Sequence, residues 1–203
     1  YDQSFDFGGS NGATTVTGGL INFNSATNFG SGNITLNGGG LQWATGTTTD
    51  ISSKLAAFGA GGATFDTNGN NVALASALTG TGGLTKTGAG TLTLSAANSY
   101  LGGTTVNAGT LQMSGAGTLG NIGNATTVNG ASAILDLGGT TQTQNGGVTL
   151  QGGGTIQNGT LSSSGPFDVQ QGSVSAVLAG AAALHNTTAR TVTLSGANTY
   201  TGG

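Results

Sequence analysis

The chain has 203 residues, 42 of them Gly, and carries a formal net charge of −3 with three Lys or Arg residues in all. So few cations exclude nucleic acid as a partner, because a nucleic-acid binder needs several Lys or Arg side chains to neutralise phosphates. The lack of Cys excludes a disulfide framework and thiolate metal sites. Since no run of about 18 apolar residues occurs, we also expect no membrane-spanning segment.

Apolar residues make up 35% of the chain and come in short alternating bursts between Gly, Asn and Thr clusters. This pattern predicts an all-β fold of short strands and turns, with enough apolar surface to form a core. The chain begins at Tyr1, without Met and without a basic and apolar leader. That beginning predicts either a processed protein or a fragment.

The first stretch that resembles a catalytic motif is GGSNG at residues 8–12, which fits the G-x-S-x-G pattern of a nucleophile elbow. In a chain this rich in Gly an accidental match is expected, no helix is predicted after Ser10, and the one His is His185. GAGTLG at residues 115–120 matches G-x-G-x-x-G, but no βαβ unit surrounds it. We therefore predict neither catalysis nor dinucleotide binding at these stretches.

Two stretches depart from the strand pattern. In DISSKLAAF (50–58), Asp50 resembles an N-cap ahead of apolar residues at helical spacing, which predicts one or two helical turns. SVSAVLAGAAAL (173–184) is apolar enough for a buried strand pair or a short helix. Its alignment with VALASALTGTGGL (72–84) favours strand, turn and strand.

The carboxylates are candidates both for metal ligands and for acid and base catalysts. Residues 66–70 (DTNGN) have the alternating oxygen ligands that begin a calcium loop, but the chain has no Glu for the bidentate position. An Asx-rich turn is the simpler interpretation. The six Asp residues are scattered, so the clustered carboxylates of a polysaccharide-cleaving enzyme are not predicted. We expect no enzymatic activity and no cofactor.

An internal repeat with an offset of 100 residues organises the chain. TLTLSAANSYLGG (91–103) aligns without a gap with TVTLSGANTYTGG (191–203). Shorter echoes link TTV at 14–16 to TTV at 104–106, and ITLNGGGLQW (34–43) to VTLQGGGTIQ (148–157). We interpret the unit as a superrepeat of roughly 90–100 residues. Two copies, at about 1–103 and 104–203, form one continuous domain that we predict to be a segment of a longer repeat protein.

Alternation within the first copy places Leu92 and Leu94 on one face of a strand and Thr91 and Thr93 on the other. Val106 continues the apolar face. Strands this short become stable when parallel coils stack on one another, with Gly and Asn at the corners. The pattern predicts a parallel β-solenoid of roughly nine or ten coils, each of about 20 residues, spaced by about 4.8 Å.

Tyr100 and Tyr200 hold the same place in the repeat, after Asn98 and Asn198. We interpret the tyrosines as packing at a coil corner rather than binding sugar. The asparagines are interpreted as corner caps whose side chains bond to backbone groups.

Threonines recur on the predicted outward faces. They form a candidate binding face for glycans or ice, although the β-propensity of Thr together with its solvent-compatible hydroxyl is the simpler explanation. The candidate residues of this face are Thr91, Thr93, Thr104 and Thr105.

GGLTKTGAGTLTLSAANSYLGGTTVNAGTL (82–111) closely resembles the autotransporter-associated β-strand repeat, also called the passenger-associated transport repeat. Residues 62–84 resemble the usual run-in to that repeat, and residues 184–203 match part of it again. The repeat residues are Lys86, Gly88, Gly90, Leu92, Leu94, Asn98, Tyr100, Gly102, Gly103, Val106, Leu194, Asn198 and Tyr200.

The resemblance implies a right-handed parallel β-helix, the passenger of a type V secreted protein, displayed on or released from a Gram-negative surface. Such repeats aid export and folding and contain no catalytic residues. One departure is that TKTGAG (85–90) is replaced by HNTTAR (185–190), which loses two Gly and predicts a different second turn.

These observations predict a structural protein that acts as a stalk, fibre or adhesive surface. We expect its partners to be further repeats of the same chain or other copies, associating end to end or laterally, because the low charge weakens repulsion between rods. The alternative is a binding module that uses the Thr/Asn-rich outward face for a glycan or ice.

Overall fold

A computed structural model describes residues 12–202, and within that range the chain winds into stacked coils of parallel strands. Ser10 and the rest of the GGSNG motif up to residue 11 lie outside the described residues, as does Gly203. The helical content of the described range is two short 3₁₀ turns, Ala26–Phe29 and Ser52–Lys54.

The strands are short because Gly and Asn corners interrupt every coil. In chain order they are β1 (Thr14–Val16), β2 (Leu20–Phe23), β3 (Ile34–Leu36), β4 (Gly40–Trp43), β5 (Ala63–Asp66), β6 (Val72–Leu74), β7 (Leu84–Thr87), β8 (Thr91–Leu94), β9 (Thr104–Val106), β10 (Gly109–Met113), β11 (Thr126–Asn129), β12 (Ala133–Asp136), β13 (Thr141–Thr143), β14 (Val148–Gln151), β15 (Gly154–Gln157), β16 (Thr160–Ser162), β17 (Phe167–Val169), β18 (Gly172–Val174), β19 (Val177–Ala179), β20 (Leu184–His185) and β21 (Val192–Leu194).

Each face of the solenoid is a sheet built from one strand per coil. The longest has nine strands in the order β2-β4-β5-β7-β9-β11-β14-β17-β20, and the second has seven in the order β21-β18-β15-β12-β10-β8-β6. Two smaller sheets, β13-β16-β19 and β1-β3, lie along the remaining side. Eight intervals of about 4.8 Å make the nine-stranded sheet roughly 38 Å long. The predicted all-β parallel solenoid is therefore confirmed.

Coil length varies around the predicted 20 residues. The register advances by 24 residues from Gly40 to Thr64 and by 17 from Phe167 to Leu184. The nine-stranded sheet keeps the 100-residue offset, because Leu184 lies five coils after Leu84. One superrepeat therefore spans five coils, or about 24 Å of the rod.

The core is a set of columns in which one inward side chain from each coil stacks on the next. In the seven-stranded sheet, Leu92 pairs in register with Val72 and with Leu111, and all three are buried. Leu94 stacks in the same way on Leu74, and both are buried. These columns follow directly from the period-two alternation of the strands.

Aromatic rings fill the first coils of the interior. Trp43 packs against Phe23 and Phe65, with ring centroids 5.1 Å and 6.0 Å apart. Phe29, from the first 3₁₀ turn, packs edge-on against Phe23 at 5.3 Å. Burial of such large rings supplies much of the favourable free energy of folding in a chain with few other bulky residues.

The two stretches that depart from the strand pattern, residues 50–58 and 173–184, fold in register with the neighbouring coils. Asp50 accepts hydrogen bonds from the backbone N–H of Ser52 at 2.8 Å and from its hydroxyl at 2.6 Å, but the N-cap of the single 3₁₀ turn Ser52–Lys54 is Ile51, one position later than predicted. The chain then extends again, since Leu55 bridges to Ile34. The stretch 173–184 is strand, turn and strand, as its alignment favoured.

The shorter echoes are not equivalent in space. Thr14–Val16 belongs to the two-stranded sheet, whereas Thr104–Val106 belongs to the nine-stranded sheet. Likewise Ile34–Leu36 and Val148–Gln151 lie on different faces. The same short strand–turn–strand sequence therefore forms different corners of the solenoid.

Candidate functional site

The corner that recurs after 100 residues is held by an asparagine that joins three successive coils. The Asn98 side-chain oxygen accepts a hydrogen bond from the backbone N–H of Leu78 at 2.8 Å, and its amide donates to the carbonyl of Thr118 at 2.8 Å. The Asn98 backbone N–H also donates to the Thr118 hydroxyl. This buried side chain therefore stitches its own coil to the coil before it and the coil after it.

The second copy repeats half of this arrangement. Asn198 accepts from the N–H of Leu178 at 2.8 Å, the same distance as in the first copy. The neighbouring backbone bonds recur as well: Ser99 donates to Leu78 at 2.9 Å, and Thr199 donates to Leu178 at 2.8 Å. The 100-residue sequence repeat is therefore a repeat of hydrogen bonds.

The tyrosines differ in burial. Tyr100 is fully buried, packs on Phe58 with ring centroids 6.1 Å apart, and shares a 2.6 Å hydrogen bond with the Thr104 hydroxyl. Burial raises the pKa of Tyr100, although the bond to Thr104 acts in the opposite direction. Tyr200 packs on Phe167 at 6.1 Å but stays partly exposed in the last described coil. Both rings pack at a corner.

Lys86 is a buried cation in a column of apolar side chains. It lies in register between Phe65 and Val106 and has no exposed surface. Its ammonium donates to the carbonyls of Thr87 at 2.6 Å, Gly88 at 2.7 Å and Ala108 at 3.2 Å. The sequence marks Lys86 as a repeat residue, and strand alternation after Leu84 gives it an inward phase, although its charge favours solvent.

Desolvation sets the titration of this lysine. Burial lowers the pKa of Lys86 from its ordinary 10.5 to about 8, while the charge of Asp66 opposes that shift. Because the third of its carbonyl partners belongs to the following coil, the ammonium links two coils through their turns.

The turn after Lys86 depends on glycine. Gly88 and Gly90 have φ angles of 65° and 85°, in the left-handed region. A Cβ on Gly90 would also collide with the carbonyl oxygen of Asn70 in the preceding coil. In the second copy Thr188 and Arg190 take these places, and Asn186 accepts from the backbone N–H of Thr188 at 3.1 Å. The second turn thus uses a side-chain bond, in keeping with the predicted departure.

The predicted outward threonine face is wrong at Thr104. That side chain is buried, because Val106 points inward and a residue two positions before it on a strand shares its face. Thr91, Thr93 and Thr105 are partly exposed, and the Thr93 hydroxyl donates to Gln112. Thr104 therefore belongs to the Tyr100 corner and not to a binding face.

The structure groups the outward threonines differently from the sequence. Five of them form one column across the nine-stranded sheet, each in register with the next and each partly exposed. Within residues 12–202, their hydroxyls donate to and accept from no other side chain or carbonyl. The members of this threonine column are Thr64, Thr85, Thr105, Thr127 and Thr149.

Beside the threonine column runs a groove along the corner that leads into the nine-stranded sheet. One part has a volume of about 410 Å³ and a contiguous part about 240 Å³, and the two share Gly102, Gly103 and Thr105. Gly103 has a φ angle of 83°. We call this feature the corner groove. Its lip carries Leu101, an exposed side chain that the sequence did not single out.

The candidate calcium loop is a turn whose side chains bond within the protein. Asp66 accepts from the backbone N–H of Asn68 at 2.8 Å and from the Gln42 amide at 2.9 Å. The Asn70 amide donates to the carbonyls of Ala44 and Thr67. Asn68 has a φ angle of 48°, typical of an Asx-rich turn. In the described part of the chain, no three His, Asp or Glu side chains form a metal cluster.

Stacked parallel coils, with a corner that recurs once after five coils, define the chain as a β-solenoid repeat protein. A family model described as the passenger-associated-transport-repeat matches residues 84–113 and, over a shorter stretch, residues 189–203, so the chain carries this passenger repeat once in full and once in part. The matches cover the Lys86 turn and the Asn98 corner of the first copy, and the Asn198 corner of the second.

A relative supports the same class. The chain is 39% identical over 108 residues to the adhesin BmaC autotransporter of Brucella suis biovar 1 (strain 1330), a match that covers 48% of this chain. It spans about 3% of the length of that relative. No solved structure matches the chain. The repeat and the relative together indicate an outer-surface or extracellular location in a Gram-negative bacterium. Among residues 12–202, no helix is long and apolar enough to cross a membrane.

Proposed function

We propose that this segment is a non-catalytic spacer with an adhesive surface, displayed outside a Gram-negative cell. The observation that carries the proposal is the nine-stranded parallel sheet, which runs without a break from Leu20 to His185. A continuous ladder of backbone hydrogen bonds gives a rod that transmits force and holds exposed side chains at a fixed distance from the cell. The adhesin name of the relative agrees with this role.

The composition of the chain favours resistance to extracellular proteases. Three Lys or Arg residues leave few sites for trypsin-like proteases, and Lys86 is buried. Asp66 and Asp168, both on the nine-stranded sheet, lie five strand intervals apart, about 24 Å, which is too far for a pair of acid and base catalysts. Release of reducing sugars from bacterial or host polysaccharides above background would contradict a non-catalytic role.

Adhesion is tested with beads that carry the purified chain. We expect these beads to bind epithelial monolayers several-fold more than beads that carry serum albumin. Soluble folded chain should compete, whereas chain kept unfolded in urea and then diluted with the beads should not. Equal binding of the two kinds of bead would contradict an adhesive role.

End-to-end association is the second element of the proposal, and the last described coil supports it. Leu194 is 39% exposed there, whereas its repeat partner Leu94, covered by the following coil, is 1% exposed. Leu194 stacks on the buried Val174, so it points along the inward column. A parallel coil, either from further repeats of the same chain or from another copy, would cover it and would continue the seven-stranded sheet.

Sedimentation velocity over a concentration series tests this association. We expect the wild-type sedimentation coefficient to rise with concentration and Leu194→Lys to abolish the rise, because a charge cannot enter the column. Thr193→Lys is the matched control, since Thr193 is exposed and its neighbour in register, Ser173, is exposed too. A concentration-independent monomer in the wild type, or an equal loss in both variants, would refute the end-to-end contact.

A further inference from the structure

The corner groove crosses five coils and is lined by both hydroxyl-bearing and apolar residues. Its lining includes several glycines, among them Gly83 and Gly102, whose Cβ positions are blocked by the backbone of the neighbouring coil, so this part of the groove carries few side chains. One wall is the threonine column, from Thr64 to Thr127, with hydroxyls about 4.8 Å apart from coil to coil. Leu101, which is 55% exposed, also lines the groove.

The backbone of the floor is already paired, so a peptide cannot add to it as a strand. The N–H of Leu84 donates to the carbonyl of Gly103 at 2.9 Å, and that of Thr104 donates to Ala125 at 3.0 Å. These bonds run from coil to coil, and both strand edges are consumed by neighbouring coils. β-Augmentation needs a free edge, which this groove lacks.

The lack of charge in the corner groove further restricts the class of ligand that can bind there. The lining residues of both parts of the corner groove carry no ionisable side chain. A phosphate, a sulfate or an acidic peptide would therefore lose hydration without meeting a cation. The ligand that fits is uncharged.

The threonine hydroxyls supply what an uncharged polyol needs. The hydroxyls of Thr105 and Thr127 make no bond within the described residues, and each can donate one hydrogen bond and accept others. Leu101 offers an apolar edge on which the C–H face of a sugar ring can pack. The groove also runs along the rod, so successive rings of a linear chain meet successive coils.

We propose that the corner groove between Leu101 and the threonine column binds a linear, neutral glycan. This inference rests on the proposed adhesive function and names the chemistry of the surface that the adhesin contacts. It also favours a glycan over ice as the ligand of the threonine column, because binding to ice requires a flat face. Leu101, exposed in the lining of the groove beside Thr105, interrupts a flat face there.

The test measures binding of neutral hexasaccharides to the full 203-residue chain. The probes are cellohexaose, laminarihexaose and mannohexaose, and the charged counterpart is hexagalacturonate, all titrated by NMR or calorimetry. We expect at least one neutral probe to bind and hexagalacturonate to bind at least tenfold more weakly. Thr105→Val and Thr127→Val should each weaken the neutral probe about fivefold, the value of one hydrogen bond near 1 kcal/mol.

The threonine column itself provides the matched control. Thr149 has the same register and exposure but lies beyond the groove lining, so Thr149→Val should leave the dissociation constant within twofold. Thr→Val keeps the β-branched shape, so all three variants should give wild-type circular dichroism. Leu101→Thr introduces the residue found at position 201 and should weaken binding without affecting the fold.

Several results would overturn the inference: binding of none of the three neutral probes, preference for hexagalacturonate, or equal effects of Thr149→Val and Thr105→Val. Thermal hysteresis in the wild type, lost in Thr105→Val, would assign the face to ice instead. The bead assay tests the proposed adhesive function independently of hexasaccharide binding. Bead adhesion without hexasaccharide binding leaves the proposed function standing and refutes the glycan, and the reverse pattern refutes adhesion alone.

Discussion

The buried ammonium of Lys86 makes the stability of the solenoid depend on pH in an unusual direction. Its pKa in the folded chain, about 8, lies below its ordinary 10.5. Between these values the unfolded chain binds a proton that the folded chain has released, so the free energy of unfolding rises with pH. The charge therefore costs stability below pH 8, and that cost disappears as the pH increases.

Tyr100 sets the upper limit of this window. Its phenol stays protonated in the folded chain above its ordinary pKa of 10.0, because burial raises that pKa. Above pH 10 the unfolded chain loses a proton that the folded chain keeps, and stability falls. At about 1.4 kcal/mol per unit of pKa, the two effects combine to a gain of about 2 kcal/mol from pH 7 to pH 10, with a decline beyond.

Urea unfolding, followed by the fluorescence of the buried Trp43, measures this profile at fixed ionic strength. Lys86→Met is the control, because it keeps an unbranched apolar stem and all other titrating groups. We expect the wild type to gain about 2.5 kcal/mol relative to Lys86→Met between pH 7 and pH 10, because the Tyr100 effect is common to both proteins. Parallel profiles for the two proteins would refute a desolvated ammonium at position 86.

Three further predictions concern the repeated corner and its turn, each measured as the free energy of unfolding in urea. Asn98→Ala should cost about 2–3 kcal/mol, because it leaves buried backbone groups of two coils unpaired, whereas Asn198→Ala should cost about 1 kcal/mol. Equal losses would contradict the three-coil link. Tyr100→Phe should cost about 1 kcal/mol and remove the decline above pH 10; a decline that persists would place its origin elsewhere. Gly90→Ala should cost about 1–3 kcal/mol through its left-handed φ angle, and a neutral result would show that this turn can relax.

Alternation along the strands could be predicted from the sequence wherever both faces are chemically distinct. Leu92 and Leu94 point inward as expected, since their neighbours on the strand are threonines. The outward prediction for Thr104 is wrong because strand phase, and not the polarity of its hydroxyl, decides which face it occupies. Two positions before Val106 on the same strand, it had to share the inward face.

Lys86 and the corner groove could not be predicted, for two physical reasons. Strand alternation places the Lys86 side chain inward, on the same face as Leu84, whereas its charge favours exposure to solvent. The carbonyl groups that accept its hydrogen bonds, and so allow its burial, are positioned by the geometry of the turn. The groove depends on which coils are neighbours. Since coil length varies from 17 to 24 residues, the sequence does not specify that Thr105 and Thr127 lie side by side.

Every strand in the long sheets contacts only the coil before it and the coil after it, and the superrepeat closes after five coils. The length of such a rod therefore increases by a fixed amount with each superrepeat. Each duplication of the 100-residue unit would move whatever lies beyond it about 24 Å further from the cell, and the Asn98-type corner would supply the same joint at each end. Reach can therefore change by gene duplication alone, without redesign of any interface.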